Sequence, residues 1–180
     1  MKSLGLFSIV YIIFALGFLV SYWPGDLSKS LSQNAARKKS SIIYYGIAFV
    51  PFLVFFTIFF LGWFITEFRL PLFFSIVYSI GLFGQVVALV IPETRGWKIA
   101  IHRGFAFMMS LSLWLLTAML LLQPGFSDIA RIWGVGTAIY MGVCWALVIF
   151  SKKAYEYSLL FQVSYVLSFL IFILLATYTV

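Results

Sequence analysis

Apolar runs of about twenty residues recur six times in this chain, and they constrain its fold more than any other feature. That length is what an α-helix needs to cross the hydrocarbon core of a bilayer. Only 9% of the 180 residues are charged, against about 25% in an average soluble domain. A soluble fold of this size could not bury so many apolar side chains. The sequence therefore predicts a multi-pass protein of the cell membrane.

The predicted fold class is all-α, a single domain that forms a polytopic bundle of six transmembrane helices. Helices are required because backbone groups exposed to lipid must be hydrogen-bonded within their own segment, and no run alternates as barrel strands do. The predicted spans cover residues 4–23, 42–65, 71–91, 101–122, 129–150 and 158–178.

Basic residues concentrate in alternate connections, which predicts the orientation of the bundle. Nine of the twelve lysines and arginines lie in or beside the connections that follow the first, third and fifth spans: Lys29, Arg37, Lys38, Lys39, Arg95, Lys98, Arg103, Lys152 and Lys153. The other side has Lys2, Arg69 and Arg131. By the positive-inside rule the three basic connections face the cytoplasm and both termini lie outside. The net charge of +7 is explained in this way without a nucleic acid partner.

The first connection contains a pattern typical of a short helix. Asp26 can cap such a helix, and Leu27, Leu31 and Ala35 fall at positions i, i+4 and i+8. With its flanking basic residues, this segment could lie on anionic lipid as an interfacial helix. A solvated orientation signal is the alternative, and the sequence favours it.

Small residues recur every four positions in the fifth span, at Gly134, Ala138, Gly142 and Ala146. This spacing places them on one helix face, where small side chains let another backbone approach closely. We therefore expect a packing face with no room for a branched side chain at Gly142. The third span carries a shorter equivalent in Gly81, Gly84, Gln85 and Ala88.

Polar groups inside the spans are scarce. Gln85 and Gln162 are the largest uncharged ones, and such residues act more often as interhelical hydrogen-bonding groups than as ligands. None of the five acidic residues falls at the middle of a predicted span. This distribution weighs against an ion-coupled carrier, which usually needs ionisable groups there.

The stretch from Ile91 to Ala106 is the best candidate for a polar site, and it holds the only histidine of the chain. If the fourth helix begins near Lys98, then Lys98 and His102 share a face at i and i+4. Basic side chains beside a helix N-terminus suit a phosphate, most plausibly a lipid headgroup. The candidate ligand-binding residues are Glu93, Arg95, Lys98, His102 and Arg103. The alternative is an orientation signal without a ligand.

Recognisable catalytic and cofactor motifs are missing. A single histidine cannot supply bis-His haem ligation or a histidine-rich zinc site, and the lone Cys144 forms no CxxC pair. No HExxH, GxSxG, Walker A or GxGxxG pattern occurs. We therefore predict no catalytic residue, no metal site and no cofactor.

The layout of six helices, the Ile91-Pro92-Glu93 turn and the run His102-Arg103-Gly104-Phe105-Ala106 resemble the DUF998 family of prokaryotic membrane proteins. A more distant resemblance is to the eukaryotic Frag1/DRAM/Sfk1 group. In that pattern the third helix runs into a loop with a proline and an acid, and the fourth begins with a histidine. Arg103 departs from it, because glycine often follows such a histidine. The resemblance implies a six-helix membrane protein of unsettled activity.

Three functions are compatible with the sequence. The favoured one is a non-enzymatic protein that binds a lipid or amphiphile, or that assists another membrane protein. Its expected partners are membrane lipids, with another membrane protein or a second copy as further candidates. The first alternative is a small-molecule transporter. The second is a lipid-modifying enzyme that uses Glu93 and His102 as acid and base.

The predicted orientation is testable with epitope tags. A tag at Val180 should be accessible on intact cells, whereas a tag at Gln33 should become accessible only after permeabilisation. The reverse pattern would contradict the orientation and place the basic connections outside.

Overall fold

Six long helices make up most of the computed structural model, which describes residues 1–23, 25–94, 96–151, 153 and 156–179. The helices are α1 Lys2–Tyr22, the short α2 Leu31–Ala35, α3 Lys39–Glu67, α4 Leu72–Val90, α5 Trp97–Leu121, α6 Asp128–Phe150 and α7 Ser158–Tyr178. The described residues contain no strand. All helices except α2 are long and apolar enough to cross a membrane. The predicted all-α class and its six spans are thus confirmed.

Two helices begin three or four residues before their predicted starts at residues 42 and 101. α5 begins at Trp97, directly after Gly96, whose φ of +62° suits a residue without a side chain. α3 begins at Lys39 and continues through Pro51 and a π-helical turn at Phe60–Phe64. The helices therefore extend beyond the apolar runs that predicted them.

The long helices form a closed ring. α1 packs on α3, α3 on α4, α4 on α5, α5 on α6, α6 on α7, and α7 returns to α1. The connections after α1, α4 and α6 consequently lie at one end of the ring, which we call the basic end. The short α2 lies at this end and contacts α3 and α7.

The other end of the ring is filled by aromatic side chains. Phe60 stacks on Tyr78 of α4 and on Phe64, with ring centroids 4.5 and 5.1 Å apart. Phe56 meets Phe169 of α7 at 6.4 Å. Because rings in such contacts combine large buried area with favourable edge and stacking geometry, this half of the bundle is solidly packed.

Arg131 stabilises the end of α5 from the start of α6. Its guanidinium donates hydrogen bonds to the carbonyl oxygens of Phe126, Leu121 and Gln123 at 3.3, 3.5 and 3.0 Å. The last carbonyl groups of a helix lack partners within the helix, and a cationic side chain can satisfy them. Arg131 therefore has a structural role in the connection between these helices.

Glycines bring α4 and α5 into close contact. A Cβ added at Gly84 would lie 2.7 Å from the backbone oxygen of Phe105, and one at Gly81 would lie 2.9 Å from the Cβ of Ser112. Neither distance leaves room for a methyl group. The small face predicted in the third span is therefore a true packing face.

The small face predicted in the fifth span extends over only part of its expected length. A Cβ at Gly134 would lie 2.5 Å from Leu121, and the Ala138 carbonyl accepts a hydrogen bond from Trp114 at 3.0 Å. Gly142 has room, since its nearest neighbour for a Cβ is Trp114 Nε1 at 3.7 Å. Ala146 is exposed. The expectation of a closed face at Gly142 and Ala146 is corrected, because no neighbouring helix packs tightly against these two positions.

The contact at Gly84 predicts a large effect of a single methyl group. Gly84→Ala should lower the free energy of unfolding by about 1–3 kcal/mol, because the backbone of α5 has to move. Gly104→Ala is the matched control: nothing lies within 4 Å of a Cβ there. It should be neutral or stabilising by up to ~1 kcal/mol. Thermal unfolding in detergent measures both, and equal midpoints would contradict the close contact.

Candidate functional site

A buried carboxylate, that of Glu93, lies at the centre of the polar groups at the basic end. Its residue is 5% exposed. Oε2 accepts a hydrogen bond from the Ser30 hydroxyl at 2.6 Å, and the Ser32 hydroxyl oxygen lies 3.3 Å from the same Oε2. Oε1 accepts from Gln33 Nε2 at 3.1 Å and from Arg103 Nε at 2.6 Å. The three donors on Ser30, Gln33 and Arg103, one of them cationic, compensate for the desolvation of a charged group.

Ser30, Ser32 and Gln33 all belong to the first connection, where a capping box forms α2. The Ser30 hydroxyl accepts from the backbone N–H of Gln33 at 3.0 Å, and the Gln33 carbonyl oxygen accepts from the Ser30 N–H at 2.9 Å. The side-chain amide of Gln33 thereby uses its oxygen for the cap and its NH2 group for Glu93. The local fold of α2 and the binding of Glu93 depend on the same side chains.

Asp26 does not cap this helix, contrary to the prediction. Its carboxylate accepts hydrogen bonds from the hydroxyl and the N–H of Ser28 at 2.6 and 3.0 Å. The Ser28 hydroxyl, and then its backbone N–H, hold the pKa of Asp26 below its ordinary value. The predicted stripe also fails to form one face, because Leu27 is exposed while Ala35 is buried. A short polar side chain that closes its own turn competes with helix capping.

His102 is 4% exposed and has partners on both ring nitrogens. Nδ1 lies 2.7 Å from the carbonyl oxygen of Ile91, and Nε2 lies 2.8 Å from the hydroxyl of Ser32. A carbonyl oxygen only accepts hydrogen bonds, so Nδ1 must carry the proton in this contact. In the neutral ring Nε2 is then the acceptor, and the Ser32 hydroxyl donates to it. Glu93 Oε2 lies 4.0 Å from the same nitrogen.

The structure brings together three of the five residues proposed from the sequence, namely Glu93, His102 and Arg103. Lys98 is exposed, with its Nζ 6.0 Å from the ring centre of Trp97, so it does not share the buried face of His102. Arg95 lies outside the described residues. The residue that contacts the His102 ring is instead Ser32 of the first connection.

The two intramembrane glutamines lie at the same end. Gln162 of α7 accepts a hydrogen bond from the backbone N–H of Leu31 at 2.9 Å, which ties α7 to α2. Gln85 of α4 and Tyr45 of α3 both line the cavity at this end. Gln162 therefore links two separate elements, and Gln85 contributes to the cavity wall.

A cavity of about 370 Å³ extends from the polar cluster into the bundle. Each long helix contributes to its wall from the end nearest the basic connections. Its polar lining consists of Ser30, Ser32, Tyr45, Gln85, Glu93, His102, Arg103, Ser110, Ser158, Gln162 and Tyr165. The remaining wall is largely apolar and includes Phe49, Trp145, Phe161 and Val166. The ring thus encloses a chamber with a polar end and an apolar body.

Sequence reasoning missed Ser30, Ser32 and Gln33. The pattern Ser30-Leu31-Ser32-Gln33 is itself a capping-box signature and could have located α2. Nothing in the spacing indicated that these side chains would meet Glu93 some sixty positions later.

Comparison of the chain with protein-family models, with curated proteins and with solved structures finds no match. Within the described part of the chain, no three His, Cys, Asp or Glu side chains come together as a metal site would require. The chemical groups that the site offers are hydrogen-bond donors, one guanidinium, one imidazole and a buried carboxylate.

Removal of the central carboxylate should loosen the basic end. Glu93→Ala loses three hydrogen bonds to a charged group, each worth about 1.5–3 kcal/mol. Part of this loss is offset because the variant no longer buries a charge. We expect a net loss of about 2–4 kcal/mol in unfolding experiments in detergent. Glu67→Ala, at an exposed acid on the other end, should stay within about 0.5 kcal/mol. Similar values for both variants would contradict the central role of Glu93.

Proposed function

We propose that this protein binds a membrane amphiphile, with the headgroup at the polar cluster and the apolar chain in the cavity. The observation that carries the proposal is that one cavity of about 370 Å³ is continuous from Ser32, Glu93, His102 and Arg103 to the apolar interior. A site with these two chemical characters matches a molecule that has both.

The size and the walls of the cavity support an apolar chain. Ligand sites in proteins usually enclose about 300–1,000 Å³ and are lined mainly by apolar and aromatic side chains. Phe49, Phe161 and Val166 provide such walls on α3 and α7. Filling this space with a hydrocarbon chain buries apolar surface and restores packing contacts that an empty chamber lacks.

The position of the wall supports entry from the membrane. Phe107 of α5 and Val148 and Ile149 of α6 line the cavity and are exposed on the outer surface of the bundle. The chamber therefore reaches the side of the ring between α5 and α6. A lipid can pass along this side with its chain in hydrocarbon throughout.

The polar end supports an anionic headgroup. The Arg103 side chain is 52% exposed and lines the cavity while its Nε donates to Glu93. A guanidinium recognises phosphate and carboxylate oxygens through several donors in one plane. With the predicted orientation, this end faces the cytoplasmic leaflet, where anionic lipids concentrate. Location in the cell membrane and the resemblance to DUF998 proteins are parts of the same proposal.

A photoactivatable phospholipid tests the proposal. The protein is reconstituted in liposomes that contain a phosphatidylglycerol with a diazirine in its acyl chain, and crosslinked peptides are mapped by mass spectrometry. Crosslinks should concentrate on residues 102–110 and 158–166. Ala106→Phe fills the cavity, since Ala106 lines it, and should lower the yield about tenfold, the effect of ~1.4 kcal/mol in binding.

Ala100→Phe is the matched control on the same helix. Ala100 is exposed and precedes every residue of α5 that lines the cavity, so the added ring lies outside the proposed ligand site. Its crosslinking should equal that of the wild type. Equal yields in both variants, or crosslinks spread evenly around the bundle, would refute the cavity as the binding site.

A further inference from the structure

We infer that Ser32 and His102 form a nucleophile–base pair that cleaves an ester bond of the bound amphiphile. This inference rests on the proposed amphiphile site and adds a reaction to it. The substrate class is an acyl ester with a long apolar chain. The geometry that points to it is a serine hydroxyl and an imidazole in direct contact at the polar end of an apolar cavity.

The proton arrangement is the one that activates a hydroxyl. The Ile91 carbonyl fixes the proton on Nδ1 of His102, which leaves Nε2 as the basic nitrogen. Ser32 Oγ lies 2.8 Å from that nitrogen, closer than the 3.3 Å to Glu93 Oε2. A serine becomes nucleophilic when an adjacent base that is itself oriented by a third group can take its proton. Here the third group is a backbone carbonyl.

The charge that develops on the ring has a partner. When His102 takes the proton it becomes an imidazolium, and the Glu93 carboxylate lies 4.0 Å from Nε2. Because the carboxylate is buried, its attraction to the imidazolium is stronger than it would be in water. Glu93 acts here through His102 and is a positioning residue.

The pair is accessible to a substrate from the cavity. Ser32, His102 and Arg103 all belong to its lining. An acyl chain in the apolar body would place its ester group toward these residues. Arg103 is the cationic side chain of that lining, and its positive charge suits the oxyanion that forms on the ester carbonyl.

The reaction balances with water as the co-reactant. Ser32 Oγ attacks the ester carbonyl carbon, and its proton moves to His102 Nε2. The carbon–oxygen bond to the alcohol breaks, the alcohol leaves with the proton from His102, and the acyl group stays on Ser32. Water then attacks the acyl carbon through the same base, and the carboxylic acid and the free serine are released.

Ser30 provides an internal comparison for the role of Ser32. Both hydroxyls contact Glu93 Oε2, at 2.6 and 3.3 Å, and both line the cavity. Among the hydrogen bonds described, only that of Ser32 reaches His102. A purely structural cluster would leave both serines unreactive, whereas a nucleophile–base pair would make Ser32 alone reactive.

An alkyl fluorophosphonate tests the pair, because it phosphonylates a serine that a neighbouring base activates. The wild-type protein in liposomes should form an adduct on Ser32 and none on Ser30, as mapped by peptide mass spectrometry. Ser32→Ala should abolish the adduct, and Ser79→Ala, at an exposed serine outside the cavity lining, should keep it. His102→Gln should slow its formation by about 10²-fold or more, the usual contribution of a general base.

The wild-type result decides even if the variants fail to fold. An adduct on another residue only, or no adduct, overturns the catalytic pair, and so does unchanged labelling in a folded His102→Gln protein. If the phospholipid still crosslinks in the cavity in that case, the binding site stands and the reaction alone fails. If the phospholipid does not crosslink there, the proposed function fails as well.

Discussion

The buried carboxylate of Glu93 is the interaction on which the basic end depends. It is held by donors from the first connection and from α5, and it lies itself on the connection between α4 and α5. A charge in this position is stable only while its partners stay in place. The positions of these partners therefore depend on one another. Loss of one donor shifts the others, and with them the polar end of the cavity.

The two ends of the ring are held together by different kinds of interaction. Phenylalanine rings fill one end, and packing there needs only apolar volume. The other end is held by directional hydrogen bonds to Glu93, His102 and Gln162, which keep the helices apart around an open chamber. A bundle held together by apolar contacts alone would tend to collapse into such a space. Polar bonding at the basic end thus permits the cavity.

The sequence predicted the parts of this structure that depend on local composition. Six apolar runs determined six helices, and the scarcity of polar groups drew attention to Glu93, His102 and Arg103. It could not predict the contact of Ser32 with His102, which joins residues seventy positions apart, because periodicity carries no information on distant pairings. Asp26 and Lys98 were misassigned for a similar reason. Their local spacing was suitable, but Ser28 and the orientation of α5 gave them other surroundings.

The closure of the ring has a consequence for biosynthesis. α7 emerges after all other elements, yet it supplies Gln162 and Leu159, whose groups hydrogen-bond to Leu31 and Leu27 near α2. These two backbone groups of the first connection therefore gain their hydrogen-bond partners only after α7 has been inserted. Chains truncated before α7 would leave the Leu31 N–H and the Leu27 carbonyl oxygen without these partners. Closure of the ring by α7 and completion of the hydrogen bonding at the basic end therefore occur in the same step of folding.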